Sequence, residues 1–350
     1  MSDSMSDSMS AAMSEPQTTQ VLRIGILGAA KIAPAALVKP ARNVARVHVV
    51  TLAARDRARA ESFARKHGVP RVENTYDDVL AAGDIDAIYN PLPNGLHAKW
   101  TIAALEAGKH VLCEKPFTSN AAEAEHVAAV AARTGKVVME AFHWRYHPLA
   151  QRMVEIVQSG ELGTIRTIDT AMCFPLPLFK DIRYQYDLAG GALMDAGCYA
   201  VHMARTLGGA HAGEGEPEVV SAAATLRTPD VDRAMTAQLR FPTGATARIE
   251  TSMWSKALLK MHANVTGDRG EMKVIGPTQP QLFHRLTVTT GGQKRKEKVS
   301  RRPTYEFQLE AFVAAVLDGA PTLTPPAESI ANMQTIDGIY RAAGMRPRGE

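Results

Sequence analysis

The first half of the chain alternates two hydrophobic patterns. Short apolar runs of strand length lie at residues 21–28, 47–53, 85–90, 110–113 and 137–141. Between them are alanine-rich or amphipathic segments of helical length, at residues 29–38, 57–67, 98–107 and 121–134. Parallel strands need long crossover connections, which are usually helices and almost always right-handed. Residues 21–142 therefore predict an α/β domain with a parallel sheet.

The pattern changes after Trp144. A helical segment at 149–159 precedes runs in which apolar and polar residues alternate, at residues 164–172, 218–228, 235–241, 245–253 and 261–266, and two helical stretches follow at 305–317 and 327–343. Alternation with a period of two is typical of antiparallel strands with one face in solvent. Residues 143–350 therefore predict an α+β domain with a mostly antiparallel open sheet and helices on one side.

Composition narrows the class of protein. A chain of 350 residues has room for two domains, and 45% hydrophobic with 22% charged residues is ordinary for a globular protein. The formal charge of +4 gives no indication of nucleic acid or membrane as a partner, and the sequence has no run of about 18 apolar residues that would span a membrane. Cys113, Cys173 and Cys198 lie far apart without a CxxC motif, which favours a reducing, cytoplasmic environment.

Some segments carry little chemical signal. Residues 1–20 repeat a Met-Ser-Asp-Ser unit with few bulky side chains, so we expect a disordered tail, and they lack the basic and apolar regions of an export signal. The basic run at 294–298 has no interleaved aromatics and is typical of a solvated hairpin face. His143 and His147 have the spacing of metal ligands on a helix, yet Pro148 favours a loop there, and we expect no metal.

A glycine turn follows the first predicted strand. The sequence Gly28-Ala29-Ala30-Lys31-Ile32-Ala33 lies where a GxGxxG dinucleotide fingerprint would lie, although only the first glycine is kept. Backbone N–H groups of such a turn, with the dipole of the following helix, can hold a pyrophosphate. Turns of this kind also occur for packing reasons alone, and both interpretations are open at this point.

The end of the second predicted strand bears on the choice of cofactor. NAD-selective Rossmann domains usually place Asp or Glu there to bind the ribose 2′-OH. Here the sequence is Ala53-Ala54-Arg55-Asp56, so Ala54 replaces the acid and Arg55 follows it. A guanidinium pairs with a 2′-phosphate and stacks on adenine, which favours NADP, with NAD possible. The alternative is that Arg55 is a solvated turn residue.

Further motifs carry a resemblance to a known family. Cys113-Glu114-Lys115-Pro116 ends a predicted strand, the segment 90–97 (NPLPNGLH) lies upstream, and the segment 190–202 (GGALMDAGCYAVH) lies in the second half. From residue 22 to residue 341 the chain resembles the glucose–fructose oxidoreductase/inositol dehydrogenase (Gfo/Idh/MocA) family. Tyr199 and the segment 139–148 resemble the branch that contains glucose–fructose oxidoreductase, dimeric dihydrodiol dehydrogenase and NADP-dependent xylose dehydrogenase.

The resemblance implies a Rossmann domain and a substrate and oligomerisation domain, with Lys115 and Tyr199 facing the nicotinamide. It implies a cofactor site drawn from Gly28, Ala29, Ala30, Lys31, Ile32, Arg55, Asn90, Pro91, Leu92, Asn94, His97, Glu114, Lys115, Trp144 and Arg145. Substrate contacts are expected from Lys115, Asp195, Tyr199 and His202. The chain departs from the family in its reduced glycine fingerprint and in His202, where many relatives have an acidic residue.

Hydride transfer at a hydroxyl or carbonyl group needs a residue that gives or takes the hydroxyl proton. A phenol with a pKa near ~10 is a poor base at neutral pH unless a cation lowers that pKa. We therefore expect Tyr199 to be the acid/base and Lys115 to lower its pKa. Asp195, four residues before Tyr199, would orient substrate hydroxyls or Lys115. A cis peptide at Pro116 would fix the lysine.

These observations together predict an NADP-dependent oxidoreductase acting on CH–OH groups of a sugar, polyol or dihydrodiol. The alternatives are a reductase of carbonyls or imines resembling biliverdin reductase, and a non-catalytic NADP-binding regulator. The strand at 245–253 is expected to leave apolar side chains on the open face of the second sheet. Relatives bury such faces between subunits, so we expect a homodimer or a dimer of dimers.

Overall fold

The computed structural model describes residues 20–178, 181–209, 215–254 and 259–350. The expected tail at 1–20 lies outside these residues except for Gln20, whose backbone carbonyl accepts a hydrogen bond from Arg46.

Six parallel strands form the first sheet: the five predicted ones and the short strand Arg71–Val72, which was not predicted. They are β1 (Leu22–Leu27), β2 (Val47–Ala53), β3 (Arg71–Val72), β4 (Ala87–Asn90), β5 (His110–Cys113) and β6 (Val138–Glu140), in the spatial order β3-β2-β1-β4-β5-β6. The central strands are almost entirely buried because helices cover both faces. Strand order reverses between β1 and β4, and ligands of open α/β sheets bind outside the carboxyl ends of the strands at such a reversal.

Four helices connect these strands: α1 (Arg57–His67), α2 (Tyr76–Ala81), α3 (His97–Glu106) and α4 (Ala121–Thr134). Side chains cap three of them, since Asp56, Thr75 and Asn120 each accept a hydrogen bond from a backbone N–H of the first turn. The expected helix at 29–38 is reduced to a π-helical turn (Pro34–Val38) followed by a 3₁₀ turn (Pro40–Arg42). Proline lacks an N–H and clashes with the preceding turn, so Pro40 ends regular helix there.

Eight strands form the second sheet. They are β7 (Ile165–Cys173), β8 (Glu218–Thr228), β9 (Val231–Arg240), β10 (Thr246–Ser252), β11 (Lys260–Gly267), β12 (Gly270–Ile275), β13 (Arg285–Thr290) and β14 (Gln293–Glu297), in the order β14-β13-β12-β11-β7-β10-β9-β8. All neighbours are antiparallel except β7 and β10. Sequence reasoning missed β12 to β14. The basic run at 294–298 lies on the β13–β14 hairpin, as expected.

The remaining helices are α5 (Pro148–Gln158), α6 (Cys198–Leu207), α7 (Thr304–Asp318) and α8 (Pro326–Ala342). Short helical turns also occur at Asn94–Leu96, His143–Tyr146, Ile182–Tyr184, Tyr186–Leu188 and Leu193–Gly197. Helix α6 is buried along its whole length against β7 and β10. Leu309 and Phe312 of α7 join the hydrophobic core around β1, so this late helix covers the first sheet.

The exposed face of the second sheet differs from the expectation for residues 245–253. Ala247 and Ile249 of β10 are buried on the α6 side, whereas Arg248 and Glu250 point outward. Arg248 pairs with Glu250 and with Asp169, and neighbouring Lys260 also pairs with Glu250. The predicted alternation is present, but its apolar half faces the helix. Around β10 the outer face is therefore polar and charged, not apolar as expected.

All three cysteines are buried free thiols. Among the described residues, the structure has no helix with both the length and the apolar character needed to cross a membrane.

Candidate active site

Lys115, Asp195 and Tyr199 meet beyond the carboxyl end of β5, where the start of α6 approaches the first sheet. The Lys115 ammonium donates a hydrogen bond of 2.8 Å to the backbone carbonyl of Asp195 and lies 3.8 Å from its carboxylate Oδ1. The same Nζ lies 4.8 Å from the centre of the Tyr199 ring. The three residues expected to carry the chemistry therefore form one cluster, although 80 positions separate Lys115 from Asp195.

The chain around Lys115 is held by buried hydrogen bonds. The Lys115–Pro116 peptide is cis, as expected. His97 has no exposed surface, and its two ring nitrogens lie 2.7 Å from the carbonyl oxygens of Pro116 and Leu92. Burial lowers the pKa of His97 to about 4. His97 was expected to bind cofactor. In the structure both ring nitrogens contact the backbone that presents Lys115, and the contact of His97 with the cofactor stays a prediction.

Asn90 and Glu114 likewise use their side chains inside the protein. The Asn90 amide donates to the backbone of His97 and to the hydroxyl of Thr101, and Asn90 has no exposed surface. Glu114 accepts a hydrogen bond of 2.7 Å from the Tyr89 hydroxyl. Burial raises the pKa of Glu114 although Tyr89 and Lys115 oppose the shift. Both side chains support the turn in the structure, and the expected contact of the two residues with the cofactor stays a prediction.

The charge of Lys115 is set by two opposing effects. Burial by itself would lower the pKa of the ammonium, but Asp195 and Glu114 outweigh it, and the pKa is raised above its ordinary value. The side chain keeps 15% of its surface exposed, and that of Asp195 keeps 14%. The cluster is therefore a nearly dry ion pair that still opens toward solvent.

The expectation that Lys115 lowers the pKa of Tyr199 is wrong for this structure. Tyr199 is only 6% exposed, and burial raises its pKa well above the ordinary value, with further increases from Tyr305, Glu114 and Asp195. The net shift is upward even though the Lys115 ammonium lies 4.8 Å from the ring centre, so the loss of water on burial dominates. Tyr199 is accordingly a phenol, not a phenolate, at neutral pH.

The Tyr199 hydroxyl contacts a residue that sequence reasoning had weighed only as a metal ligand. It lies 3.0 Å from Nε2 of His143, and Nδ1 of His143 lies 2.7 Å from the hydroxyl of Thr304. Burial, followed by Lys115 and His147, lowers the pKa of His143 to about 3. The contacts span 56 and 161 positions, which no local pattern can reveal.

His143 and His147 do not lie on one helical face. His143 begins the 3₁₀ turn His143–Tyr146, whereas His147 accepts a hydrogen bond from the backbone N–H of Leu149 and caps α5. A loop was expected before Pro148. The structure has the 3₁₀ turn there, and α5 begins at Pro148.

Arg183 is a second residue that the sequence did not single out. Its Nε lies 3.0 Å from Asp195 Oδ2, and its Nη1 donates a hydrogen bond of 3.0 Å to Asp181. Asp195 raises the pKa of Arg183 more than any other group does. One carboxylate oxygen of Asp195 is thus held by Arg183 while the other faces Lys115.

His202, expected to touch substrate, is buried instead. It has no exposed surface, stacks on Phe142 with ring centres 4.2 Å apart, and accepts a hydrogen bond from the Trp144 indole. Its Nε2 lies 3.5 Å from a carboxylate oxygen of Glu328. Trp144 is also fully buried and Arg145 is 8% exposed. His202 therefore supports Phe142 and Trp144 in the structure, and its contact with substrate stays a prediction.

The glycine turn lies at the carboxyl end of β1. Gly28 has φ +92°, a conformation that side chains disfavour, and a Cβ there would lie 3.0 Å from the Leu92 side chain. The backbone of Ala29, Ala30 and Lys31 borders a groove of about 630 Å³ with Lys31, Arg59 and Lys66 on its walls. Arg59 of α1, which sequence reasoning missed, donates a 2.9 Å hydrogen bond to the carbonyl of Ala29.

The basic and backbone donors of this region fit a phosphorylated dinucleotide. Arg55 and Lys31 are exposed on the same side of the sheet as the turn, and Ile32 is 38% exposed. The turn at 90–94 borders it, since Leu92 packs against Gly28. Asn94, expected at the cofactor, donates its amide to the backbone carbonyl of Ala189, and this hydrogen bond links the two halves of the chain.

Comparison with known families and relatives is consistent with this geometry. Residues 22–142 match the model of an oxidoreductase family with an NAD-binding Rossmann fold, and residues 150–273 match the GFO/IDH/MocA C-terminal domain. The chain is 38% identical over 324 residues to D-xylose 1-dehydrogenase (NADP(+)) 2 of Haloferax volcanii, covering 92% of this chain and 97% of the relative. It is 29% identical over 249 residues to trans-1,2-dihydrobenzene-1,2-diol dehydrogenase of Xenopus tropicalis, covering 71% and 72%.

Solved structures match over nearly the whole chain. A 3-ketoreductase from Actinomadura kijaniata, in complex with NADP and TDP-benzene, has a TM-score of 0.84 at 29% identity and covers 92% of this chain and 98% of that one. An aldose-aldose oxidoreductase from Caulobacter crescentus, complexed with glycerol, has a TM-score of 0.84 at 26% identity and covers 93% and 98%.

Proposed function

Since both of its domain models match, the chain belongs to the GFO/IDH/MocA oxidoreductase family, and we propose that it transfers a hydride between NADP and a hydroxyl or carbonyl carbon of a sugar, polyol or dihydrodiol. The observation that carries the proposal is the contact of Lys115, Asp195 and Tyr199 at the carboxyl edge of the parallel sheet. Ligands of open α/β folds bind at this edge.

Tyr199 is the proposed proton donor and acceptor. Because its pKa is raised, the phenol holds its proton until a substrate oxygen with developing negative charge comes within hydrogen-bond distance. In reduction Tyr199 gives that proton to the carbonyl oxygen and becomes a phenolate, which solvent reprotonates. In oxidation Tyr199 must first lose its proton to solvent, and its phenolate then takes the proton of the substrate hydroxyl. When bound, NADP supplies the nicotinamide that accepts or delivers the hydride.

Lys115 and Asp195 set the charge and the hydrogen-bonding groups around the substrate oxygen. The Lys115 ammonium stays charged, so it stabilises negative charge on the substrate oxygen and on Tyr199 after proton transfer. Asp195, held by Arg183, can accept hydrogen bonds from further substrate hydroxyls. This polarity favours a substrate with several hydroxyl groups.

The cofactor would be held at its phosphates by the backbone of the turn Gly28 to Ile32, with Lys31, Arg55 and Arg59 around it. At the end of β2 Ala54 stands in place of the usual acid and Arg55 follows it, which favours a 2′-phosphate, hence NADP over NAD. The relatives named above include an enzyme whose name specifies NADP(+) and a structure that contains NADP.

We also propose where the domains divide. The NADP-binding domain would end near residue 142, and residues 143–350 would form the substrate domain, except that α7 packs on the first sheet.

Two further proposals concern the cellular compartment and the oligomeric state. The chain would work in the cytoplasm, which its three free thiols support. It would form a homodimer through the outer face of the second sheet, where charges of both signs could pair with a second copy. Light scattering at micromolar concentration tests that last point, and a monomer mass would contradict it.

A spectrophotometric screen tests the activity. Pentoses, hexoses and dihydrodiols are offered in turn to the purified chain with NADP and, separately, with NAD, and reduction of the cofactor is followed by absorbance. We expect turnover with at least one polyhydroxylated substrate and a preference for NADP. Tight NADP binding without turnover of any substrate in either direction would contradict the proposal and favour the non-catalytic regulator.

A further inference from the structure

We propose that His143 is a positioning residue for Tyr199: its Nε2–H donates to the phenol oxygen, Thr304 fixes that tautomer, and the phenol's own O–H is thereby left free to point at the substrate. The inference rests on the proposed function, because it assigns the direction of the proton that Tyr199 transfers. It starts from two distances, 3.0 Å from Tyr199 Oη to His143 Nε2 and 2.7 Å from His143 Nδ1 to Thr304 Oγ1.

The tautomer of His143 follows from the requirement of the buried Thr304 hydroxyl for a hydrogen-bond acceptor. Thr304 has no exposed surface, and a buried O–H requires an acceptor. Among the described residues, the acceptor found within hydrogen-bond distance of this hydroxyl is Nδ1 of His143. The Tyr199 hydroxyl differs, because Tyr199 keeps 6% of its surface exposed and its O–H can donate to a substrate oxygen. If Nδ1 accepts, it carries no proton. His143 is neutral because its pKa is lowered to about 3, so its single proton lies on Nε2, which faces Tyr199.

The three groups then form a chain of donors that all point the same way. Thr304 O–H donates to His143, His143 Nε2–H donates to the Tyr199 oxygen, and Tyr199 O–H is directed away from the imidazole. Chains of this kind polarise one another, so each bond strengthens the next. When Tyr199 has given up its proton, the bond from His143 becomes charge-assisted and roughly twice as strong.

The opposite tautomer would work against the proposed reaction. With the proton on Nδ1, Nε2 would accept the Tyr199 O–H and hold the proton away from the substrate. Thr304 would then lose the acceptor for its own hydroxyl. The choice of partner for His143 therefore decides whether Tyr199 can donate to a substrate oxygen.

The imidazole is held in place by packing as well as by hydrogen bonds. Its ring centre lies 4.1 Å from that of Tyr305, the residue after Thr304, and 5.7 Å from that of Tyr199. His143 is 2% exposed, so water cannot replace either bond without opening the site. The Lys115 ammonium lowers the pKa of His143 and also lies 4.8 Å from the centre of the Tyr199 ring.

The tautomer can be measured without any substrate. In the full-length chain labelled with ¹⁵N-histidine, long-range NMR correlations distinguish a protonated from an unprotonated ring nitrogen. The His143 signals are identified by their loss in His143→Gln. We expect protonated Nε2 and unprotonated Nδ1, and a loss of that preference in Thr304→Val with recovery in Thr304→Ser. A protonated Nδ1 in the unmodified chain would overturn the inference.

Kinetics give the second readout. The groups that face Tyr199 and His143 are Lys115, Glu114, Asp195, Cys198, Tyr305 and His147. His143→Phe keeps a ring but removes the donor, so the alkaline rise of the oxidative rate should move up by about one pH unit and turnover should fall on the order of tenfold. NADP affinity should not change. Thr304→Val should give a smaller fall that Thr304→Ser reverses.

His126→Gln, an exposed histidine on α4, is the matched control. An unshifted pH profile in His143→Phe would overturn the positioning role even if turnover fell, because a purely structural loss does not move that profile. Failure of the proposed function is a different result: the unmodified chain would turn over no substrate, while the NMR measurement would still decide the tautomer.

Discussion

The two ends of the candidate site differ in how far their polar side chains are exposed to solvent. Around Tyr199, the polar groups of Lys115, Asp195 and His143 are buried or nearly so, and each has a partner within the protein. At the other end, Arg55 and Lys31 lie on an exposed surface beside a glycine turn.

The difference separates the proposed proton transfer, at the buried Tyr199 end, from the proposed binding of the cofactor phosphates, at the exposed end. Burial lowers the local dielectric, so charges at the Tyr199 end act strongly on one another and shift pKa values, as His143 and Tyr199 show. Exposed arginines act through water and salt, so they add modest selectivity and can be changed at little cost to the fold. We expect large effects at the buried end and small ones at the exposed end.

Tyr199→Phe should give the largest effect. Removing the hydroxyl removes the proton donor, so turnover should fall by ~10²–10⁴-fold, the usual contribution of general acid–base catalysis. NADP affinity, measured by fluorescence titration, should stay nearly unchanged, and the pH dependence of the oxidative rate should lose its alkaline rise. Tyr186→Phe is the control. Near-normal turnover in Tyr199→Phe would mean that the proton takes another route.

Lys115→Met should reduce turnover by about 10²-fold, because the ammonium no longer stabilises the developing charge. NADP affinity should also fall, since the resemblance places this lysine at the nicotinamide. The losses in Lys115→Met and Tyr199→Phe should not add in the double variant, because residues that act as a unit are non-additive. Lys273→Met, an exposed lysine on β12, should behave like the unmodified chain. Fully additive losses would show that the two residues act independently.

Glu140→Gln tests how burial of a carboxyl group changes the free energy of unfolding. Glu140 is the last residue of β6 and is 1% exposed. Burial raises the pKa of Glu140 to about 8 from an ordinary 4.5. The folded chain therefore resists ionisation that the unfolded chain undergoes freely, and the free energy of unfolding should fall as pH rises from about 4.5 to about 8, on the order of a few kcal/mol. Glu140→Gln should flatten that fall in urea titrations across this range. Glu155→Gln, an exposed glutamate, should keep it, and an equally steep fall in Glu140→Gln would contradict the assignment.

Arg55→Ala should have a smaller effect at the exposed end. The ratio of the NAD to the NADP dissociation constant should shrink by about tenfold, since one charge-assisted contact to the 2′-phosphate is lost. The effect should weaken at high salt because the site is exposed. Arg57→Ala, which removes a surface pair with Glu61, is the matched control. Equal NAD and NADP affinities before any substitution would remove the basis for NADP selectivity.

Deletion of residues 1–19 should have the smallest effect. Their composition predicts no packed structure, so the thermal midpoint and turnover should both stay unchanged. A clear fall in either would show that the tail contacts the body of the protein or the cofactor.

Much of the architecture could be predicted from the chain's own pattern. Runs such as 47–53 and 110–113 became strands of a parallel sheet, and helix α4 has the predicted bounds. The strand β3 and helix α2 were missed because two and six residues are too short to show a period. The motif around Lys115 and the segment around Tyr199 are also sufficient to indicate the family from the sequence.

Other properties were decided only by tertiary structure. The sequence by itself determined which residue types lie at which ends of strands, because hydrophobic periodicity and turn chemistry act over a few neighbouring positions. It could not determine that His143 meets Tyr199, that Arg183 holds Asp195, that His202 is buried, or that burial outweighs Lys115 in setting the pKa of Tyr199. Those outcomes depend on desolvation and on partners far away in the chain, and both exist only once the two halves have packed together.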